Sequence, residues 1–208
     1  MYFVRIPKIA KLIYKNMIWD IPVRDKTIFL TFDDGPERFS TPAILEILKK
    51  YDANATFFCT GKKAKENPEL LNQIISAGHT LGNHSYSHLK MESKGTDTFI
   101  QDINKFRNIF DSELFRPPYG KITRKQINIL KDNYKIIMWS VIPGDFDRKV
   151  SKERMLKRSI KYTKQGSIIV FHDNSKTIEK VEYALPRFLD HFINKGFAFK
   201  SLSTSLFP

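Results

Sequence analysis

The stretch "KTIFLTFDDGP", residues 26–36, joins a run of apolar and β-branched residues to two aspartates and a Gly-Pro pair. Residues 27–32 lack the regular polar–apolar alternation of a half-exposed strand, so they predict a strand buried on both faces. The Gly-Pro pair predicts a sharp turn directly after it. Asp33 and Asp34 are therefore expected at the carboxyl end of a buried strand, with their side chains on opposite sides of the extended chain. The alternative for the same residues is a turn that only caps the following helix.

Six further strand-like runs follow in the sequence, at residues 55–60, 79–84, 114–118, 135–140, 167–172 and 197–202. Segments with the spacing of amphipathic helices lie between them. This alternation predicts a parallel sheet covered by helices. Seven units are too few for a full eightfold barrel, which takes about 250 residues. We therefore expect an α/β fold, a distorted (β/α) barrel that is TIM-barrel-like and has about seven strands. An open doubly wound sheet is the alternative.

The chain is expected to form one domain at residues 26–208, because no internal repeat or linker interrupts it. Residues 1–25 read as an extension that forms a short helix packed on this domain. Lys8, Lys11 and Lys15 break up its apolar residues, which argues against a signal peptide, and no stretch has the length of a membrane span. We expect a cytoplasmic or otherwise unanchored protein, and a monomer.

The composition narrows the classes of partner. The formal net charge is +13, which favours anionic partners such as an anionic glycan, a nucleic acid or a membrane surface. The basic residues are scattered and include no basic run interleaved with aromatic residues, which argues against a nucleic-acid-binding protein. The single cysteine, Cys59, excludes an internal disulfide and a metal site built from several thiolates.

Polar residues cluster where the predicted strands end. Besides the two aspartates, His84 ends the third strand with His88 four residues on, Arg116 lies in the fourth, Asp145 follows the fifth and His172 ends the sixth. Catalytic residues of (β/α) barrels gather at the carboxyl ends of the strands. Five separate elements would thus bring acids, imidazoles and a guanidinium to one rim.

The spacing of His84 and His88 allows both imidazoles to reach one ion, although an H-x-x-x-H pattern alone equally fits two surface histidines. A carboxylate from Asp33 or Asp34 would complete a set of two histidines and one carboxylate, a common catalytic Zn²⁺ or Fe²⁺ site.

Arg116 at a rim rich in carboxylates is expected to pair with one of them. Pairing with Asp33 would hold that carboxylate ionised and oriented, as a general base requires. His172 would be the complementary acid, with Asp145 orienting it and raising its pKa.

Four segments, taken in order, resemble the motifs of one family. "TFDDGP", "HSYSH", "RPPYG" and "VFH" are similar to the first, second, third and fifth motifs of the polysaccharide deacetylase family, the NodB-homology domain or carbohydrate esterase family 4. The likeness covers about residues 26–204. The family fold is a distorted (β/α) barrel with fewer than eight units.

The resemblance implies one divalent metal ion, with Zn²⁺ favoured over Co²⁺ or Ni²⁺, held by Asp34, His84 and His88. It implies that Asp33 is the general base for a metal-bound water, that Arg116 orients Asp33, and that His172, tuned by Asp145, is the general acid. The implied oxyanion donor is the backbone N–H of Tyr119. The implied walls of the acetyl pocket are Phe146, Val170 and Pro118.

The fourth motif, usually D-x-x-D-W, departs from the family pattern. In "IPGDF", residues 142–146, Ile142 replaces the first acid and Phe146 replaces the tryptophan, whereas Asp145 is kept. We interpret this as an altered substrate groove.

The function expected from the resemblance is the metal-dependent removal of N-acetyl groups from amino sugars in a polysaccharide or oligosaccharide. The alternatives are a catalytically silent glycan-binding protein of the same fold and an O-acetyl esterase acting on xylan-like glycans. Chitin, peptidoglycan, xylan and an exported surface polysaccharide all remain open as substrates. An intracellular enzyme would favour a small precursor.

Overall fold

The computed structural model describes residues 2–90 and 95–207, so the outer bounds of the predicted segments, residues 1 and 208, lie outside the described part. Its helices are α1 (Lys8–Ile13), α2 (Ser40–Lys50), α3 (Gly61–Glu66), α4 (Pro68–Ser76), α5 (Thr96–Arg107), α6 (Arg124–Leu130), α7 (Lys152–Tyr162) and α8 (Ile178–Ile193). Its strands are β1 (Met17–Ile18), β2 (Thr27–Asp33), β3 (Thr56–Cys59), β4 (Thr80–Asn83), β5 (Leu114–Phe115), β6 (Lys135–Ile137), β7 (Ile168–His172) and β8 (Ala198–Lys200).

The strands form one sheet in the order β1-β6-β5-β4-β3-β2-β7, and β8 also pairs with β2. Every one of these pairings is parallel. A bridge between Val141, just after β6, and Ile169 in β7 curls the sheet towards closure. The predicted distorted barrel is confirmed, and all seven predicted strands form. The additional strand, β1, is only two residues long.

All seven residues of strand β2 are buried. It pairs with β3 on one edge and with β7 on the other, and the register sets Asp33 opposite Phe58 and opposite His172. Parallel strands end on the same side of a sheet, so this register alone brings the first aspartate and the last histidine of the motifs to one rim.

Helix α8 covers the sheet with an amphipathic face. Its buried residues recur at spacings of three and four, the period of one helix face. Among them, Phe188 contacts the rings of Phe171, Phe192 and Phe199 at centroid distances of 6.0, 4.9 and 5.8 Å. These aromatic contacts join the helix layer to β7 and β8.

The segment that precedes β2 is part of the same sheet. Strand β1 pairs with β6 in the register Met17–Ile136 and Ile18–Ile137. The short helix α1 lies at Lys8–Ile13, within the segment for which the sequence predicts a helix. A domain boundary near residue 25 remains a prediction. Within the described ranges no helix combines the length and the apolar character needed to cross a bilayer.

Replacing Phe188 with alanine tests the contribution of this core. The side chain has no exposed surface, so Phe188→Ala is expected to lower the free energy of unfolding by about 3–5 kcal/mol, through lost burial and a cavity. Phe39→Ala is the control, because Phe39 is 82% exposed and should change stability by no more than about 0.5 kcal/mol. Urea unfolding measures both, and equal losses would contradict this packing.

Candidate active site

Five strand ends and the loops after them converge on one cleft. Asp33 is the last residue of β2 and Asp34 follows it, and the loop after β4 carries both histidines of the H-x-x-x-H pair. Arg116 comes directly after β5, Asp145 lies in the segment after β6, and His172 is the last residue of β7. The structure thus brings together the polar residues that the sequence places at strand ends.

Asp33 and Arg116 form a buried ion pair. Arg116 has no exposed surface and Asp33 is 4% exposed. Arg116 Nη1 donates to Asp33 Oδ1 at 2.7 Å and to Thr31 Oγ1 at 2.7 Å. Its Nε and Nη2 donate to the backbone carbonyls of Ile137 and Met138 at 3.2 and 2.9 Å. One oxygen of Asp33 is therefore tied to the guanidinium, while Oδ2 faces the cleft.

Asp34 does not follow the alternation expected of an extended chain. Its φ is +78°, in the left-handed region, so the chain turns at this residue. As a result both carboxylates approach the same imidazole, with His84 Nε2 at 4.0 Å from Asp33 Oδ2 and at 3.7 Å from Asp34 Oδ1. The expectation of opposite sides was wrong, because it assumed extended backbone at both aspartates.

Asp34, His84 and His88 have the geometry of a metal site. Their ligand atoms all lie within 4.8 Å of one another, and His88 Nε2 is 3.2 Å from Asp34 Oδ1. A tetrahedral Zn²⁺ with bonds of about 2.0–2.2 Å spaces its ligands by roughly 3.4 Å, so these three residues fit one ion with a position left for substrate or water.

The hydrogen bonds of the two histidines support this role. His84 Nδ1 lies 2.8 Å from the carbonyl oxygen of Arg116, to which it donates, so Nε2 is left as a lone-pair donor. Burial lowers the pKa of His84 to about 4, so this imidazole is neutral near pH 7. His88 Nδ1 is 3.2 Å from the hydroxyl of Tyr119.

Asp34 is ionised in this setting. Burial alone would raise its pKa, but the hydrogen bond from His88 and the charge of His172 hold the pKa well below its usual range. Asn174 Nδ2 also donates to Asp34 Oδ2 at 3.0 Å. A neutral imidazole and an ionised carboxylate are the forms in which these groups bind metal ions.

The backbone around the site is strained at several non-glycine residues. Asp34, Ser85, His88 and Tyr119 all have φ between +53° and +78°. Such conformations cost of order 1–3 kcal/mol each and concentrate at functional sites. In this protein they set the backbone at Asp34 and His88, two of the three candidate metal ligands, and at Tyr119. The ring centroid of Tyr119 lies 4.6 Å from that of His88.

His172 is held by Asp145 in the same cleft. Nδ1 of His172 lies 2.9 Å from Asp145 Oδ1, and the backbone N–H of His172 donates to Asp145 Oδ2 at 2.6 Å. Burial alone would lower the pKa of His172, but the charge and hydrogen bond of Asp145, with smaller effects of Asp34 and Asp33, raise it to about 9. His172 is therefore a cation at neutral pH, with Nε2 free for the cleft.

Two cavities adjoin these residues. A polar cavity of about 440 Å³ extends past Asp34 and His88 towards Lys62, Lys63 and Lys176. A more apolar cavity of about 380 Å³ reaches all of Asp33, Asp34, His84, His88 and His172. Both open on the candidate metal site.

The three residues predicted to wall an acetyl pocket differ in position. Phe146 lines both cavities and packs edge-on against His172, with ring centroids 5.3 Å apart. Val170 and Pro118 are buried and line neither of them. Val170 belongs to the fully buried part of β7, so the structure places it beneath the cavity surface.

Sequence reasoning missed several residues of the site. Lys63 Nζ donates to the carbonyl oxygen of Asp34 at 2.8 Å and pairs with Glu37 at 2.6 Å. Asn174, which donates to Asp34, lies two residues after His172 on the same strand end. The place of Asn174 next to a strand end could have predicted it as a site residue. No local sequence pattern indicates that Lys63, in α3, contacts the loop after β2.

The profile of the polysaccharide deacetylase family matches residues 20–134 of this chain. A peptidoglycan-N-acetylglucosamine deacetylase of Bacillus cereus is 32% identical over 196 residues, which cover 90% of this chain and 92% of the relative. The peptidoglycan-N-acetylmuramic acid deacetylase PdaA of Bacillus subtilis is 32% identical over 195 residues, 88% of this chain and 73% of the relative.

A solved structure gives the same result. The crystal structure of a peptidoglycan N-acetylglucosamine deacetylase in complex with 4-naphthalen-1-yl-N-oxidanyl-benzamide has a TM-score of 0.87 and 30% identity, and the likeness covers 95% of both chains. The family predicted from the four motifs is confirmed. This chain belongs to the polysaccharide deacetylase family, carbohydrate esterase family 4, and is a hydrolase of carbon–nitrogen bonds other than peptide bonds.

Proposed function

We propose that the protein removes N-acetyl groups from the amino sugars of peptidoglycan with one bound divalent cation, for which Zn²⁺ is the favoured ion. The observation that carries the proposal is that one cleft holds a carboxylate and an imidazole, each fixed by a buried partner of opposite charge. Asp33 is held by a buried arginine, His172 is held by a buried aspartate, and the candidate metal ligands line the same cleft.

Asp34, His84 and His88 would hold the cation. When bound, such an ion acts as a Lewis acid that polarises an amide carbonyl and makes water a better nucleophile near pH 7. The relative cited above binds an N-oxidanyl-benzamide, a hydroxamate, and hydroxamates are chelators of divalent metals. This supports a metal at the corresponding place in our chain.

Asp33 would take the proton from the attacking water. Arg116 donates to Oδ1 only, so Oδ2 keeps its lone pairs directed into the cleft. Since Arg116 is fully buried and makes four hydrogen bonds to protein, it cannot swing away during the reaction. A base with one oriented oxygen is what proton abstraction at a fixed point requires.

His172 would give a proton to the leaving amine. Cleavage of an amide expels a poor leaving group unless the nitrogen is protonated, so a separate acid is needed. Its raised pKa keeps His172 charged at neutral pH, and Asp145 fixes Nδ1–H, which leaves Nε2–H directed at the cleft.

The charge around the cleft supports an anionic glycan as substrate. Lys62 and Lys176 are exposed on the rim of the polar cavity. Peptidoglycan carries carboxylates on its peptide substituents, and two relatives are named for deacetylation of its two amino sugars. The choice between N-acetylglucosamine and N-acetylmuramic acid, the compartment and the oligomeric state stay predictions.

Asp33→Asn tests the proposed chemistry. It keeps the size of the side chain but removes the base, so acetate release from N-acetylated peptidoglycan fragments should fall by about 10²–10⁴-fold. Asp132→Asn, at an exposed aspartate outside the cleft, is the matched control and should keep full activity. A fully active Asp33→Asn variant would contradict the assignment. A wild-type protein that binds the fragments but releases no acetate would favour the silent glycan-binding alternative.

His88→Gln tests the metal site. The change removes one imidazole ligand, so the affinity for Zn²⁺ should fall by at least about 100-fold. His191→Gln, on the last turn of α8, is the matched control and should bind one ion per chain as the wild type does. Isothermal titration with Zn²⁺ gives both affinities, and retention of tight binding by His88→Gln would place the ion elsewhere.

Asp145→Asn tests the origin of the His172 charge. Removing the carboxylate should lower the pKa of His172 by about 1–2 units. Because the acid works only while protonated, the alkaline limb of the kcat/KM profile should move to lower pH. The profile of Asp132→Asn should stay in place. An unshifted alkaline limb in Asp145→Asn would mean that another group is the acid.

A further inference from the structure

Residues 2–6, named here the N-terminal arm, lie against the loop that contains the altered fourth motif. The N–H of Ile142 donates to the carbonyl oxygen of Val4 at 2.9 Å, and Arg5 forms an antiparallel bridge with Val141. The arm is thus attached by backbone pairing, as a short antiparallel strand beside the chain that leaves β6.

Tyr2 ties the end of the arm to the candidate active site. Its hydroxyl donates to Asp147 Oδ2 at 3.3 Å and accepts from Arg158 Nη1 at 3.1 Å. Its ring packs on Phe146, with centroids 5.0 Å apart, and Phe146 in turn packs against His172 at 5.3 Å. One row of aromatic contacts therefore runs from the arm to the proposed general acid.

The arm also forms a wall of the more apolar cavity. Tyr2, Phe3 and Ile6 line one side of this cavity of about 380 Å³, and the candidate metal ligands and His172 line the other. Phe3 is 61% exposed and Phe146 is 43% exposed. Two aromatic rings thus stand partly open to solvent within this cleft.

We propose that the arm is a specificity wall of the substrate cleft, and that Phe3 and Phe146 receive the apolar face of a sugar ring that flanks the reacting N-acetyl group. A sugar ring is the expected ligand of this wall, because the cavity that the arm lines is continuous with the candidate active site. A pyranose presents a face of C–H groups against which an aromatic ring packs, while its hydroxyls stay in water. The identity of the ligand as a glycan rests on the proposed function.

The arm gives a physical reason for both departures in the fourth motif. Ile142 is 7% exposed, pairs with the arm and lines the apolar cavity. The arm would remove water from a carboxylate at this position, which costs free energy. Burial of an isoleucine side chain carries no such cost. The second departure, Phe146, is the residue on which Tyr2 packs. Both altered positions therefore contact the arm.

Binding of an N-acetylglucosamine tetramer tests the proposal. The Zn²⁺-loaded Asp33→Asn protein, which should bind the tetramer without cleaving it, serves as background for isothermal titration. Adding Phe3→Ala is expected to raise the Kd by about 5- to 30-fold, the usual effect of truncating an aromatic contact residue. The matched control is Ile9→Ala, also near the N-terminus and 66% exposed but outside the cavity, which should leave the Kd unchanged.

Equal Kd values for background and Phe3→Ala, equal weakening by both alanines, or no binding of the tetramer to the background would each overturn the proposal. Unfolding midpoints are measured for all variants, and that of Phe3→Ala should match the background because the ring is exposed. Acetate release by the wild type decides the proposed function separately. If the wild type releases acetate but Phe3→Ala leaves the Kd of the tetramer unchanged, only the proposal that the arm is a specificity wall is refuted. If Phe3→Ala raises the Kd but the wild type releases no acetate, only the proposed deacetylation is refuted.

Discussion

The buried ion pair of Asp33 and Arg116 is the contact on which the rest of the site depends. The guanidinium is held by a carboxylate, a hydroxyl and two backbone carbonyls, and its face lies 4.1 Å from the centroid of the Phe58 ring. Truncation of either side chain to alanine would leave the other as an unpaired charge in the interior, which costs about 3–5 kcal/mol, whereas Asp33→Asn keeps an oxygen that can accept from Arg116. The pair therefore fixes the position of the proposed base more firmly than a surface contact could.

Hydrogen bonds at the strand ends connect Asp33 to the neighbouring segments of the chain. Asp33 ends β2, and its carbonyl oxygen accepts from the N–H of Asp173 at 2.7 Å, directly beyond His172. The side chain of Asp173 in turn accepts from Ser40 and Thr41 at the start of α2, at 2.5 and 2.6 Å. The loop with both aspartates is thus held at each end, which lets the strained backbone of Asp34 persist.

Most of the fold and the core of the site follow from local patterns. Continuous apolar runs mark buried strands, and polar residues at their ends must meet at one rim because parallel strands share a direction. Local patterns do not predict a residue with left-handed backbone angles, such as Asp34. They also do not predict which distant segments pair with each other. The role of Tyr2 and Phe3 depends on a strand pairing across more than 130 residues, and the burial of Val170 beneath the cavity depends on how tightly the sheet curls.

Acetate release from peptidoglycan fragments by metal-stripped protein, before and after addition of one equivalent of Zn²⁺, tests most directly whether this geometry performs amide hydrolysis. N-acetylated fragments and O-acetylated xylan are run side by side. We predict release from the N-acetylated fragments alone, and only after the cation is added. Equal release without the cation, or release confined to the O-acetylated glycan, would contradict the function proposed for this cleft.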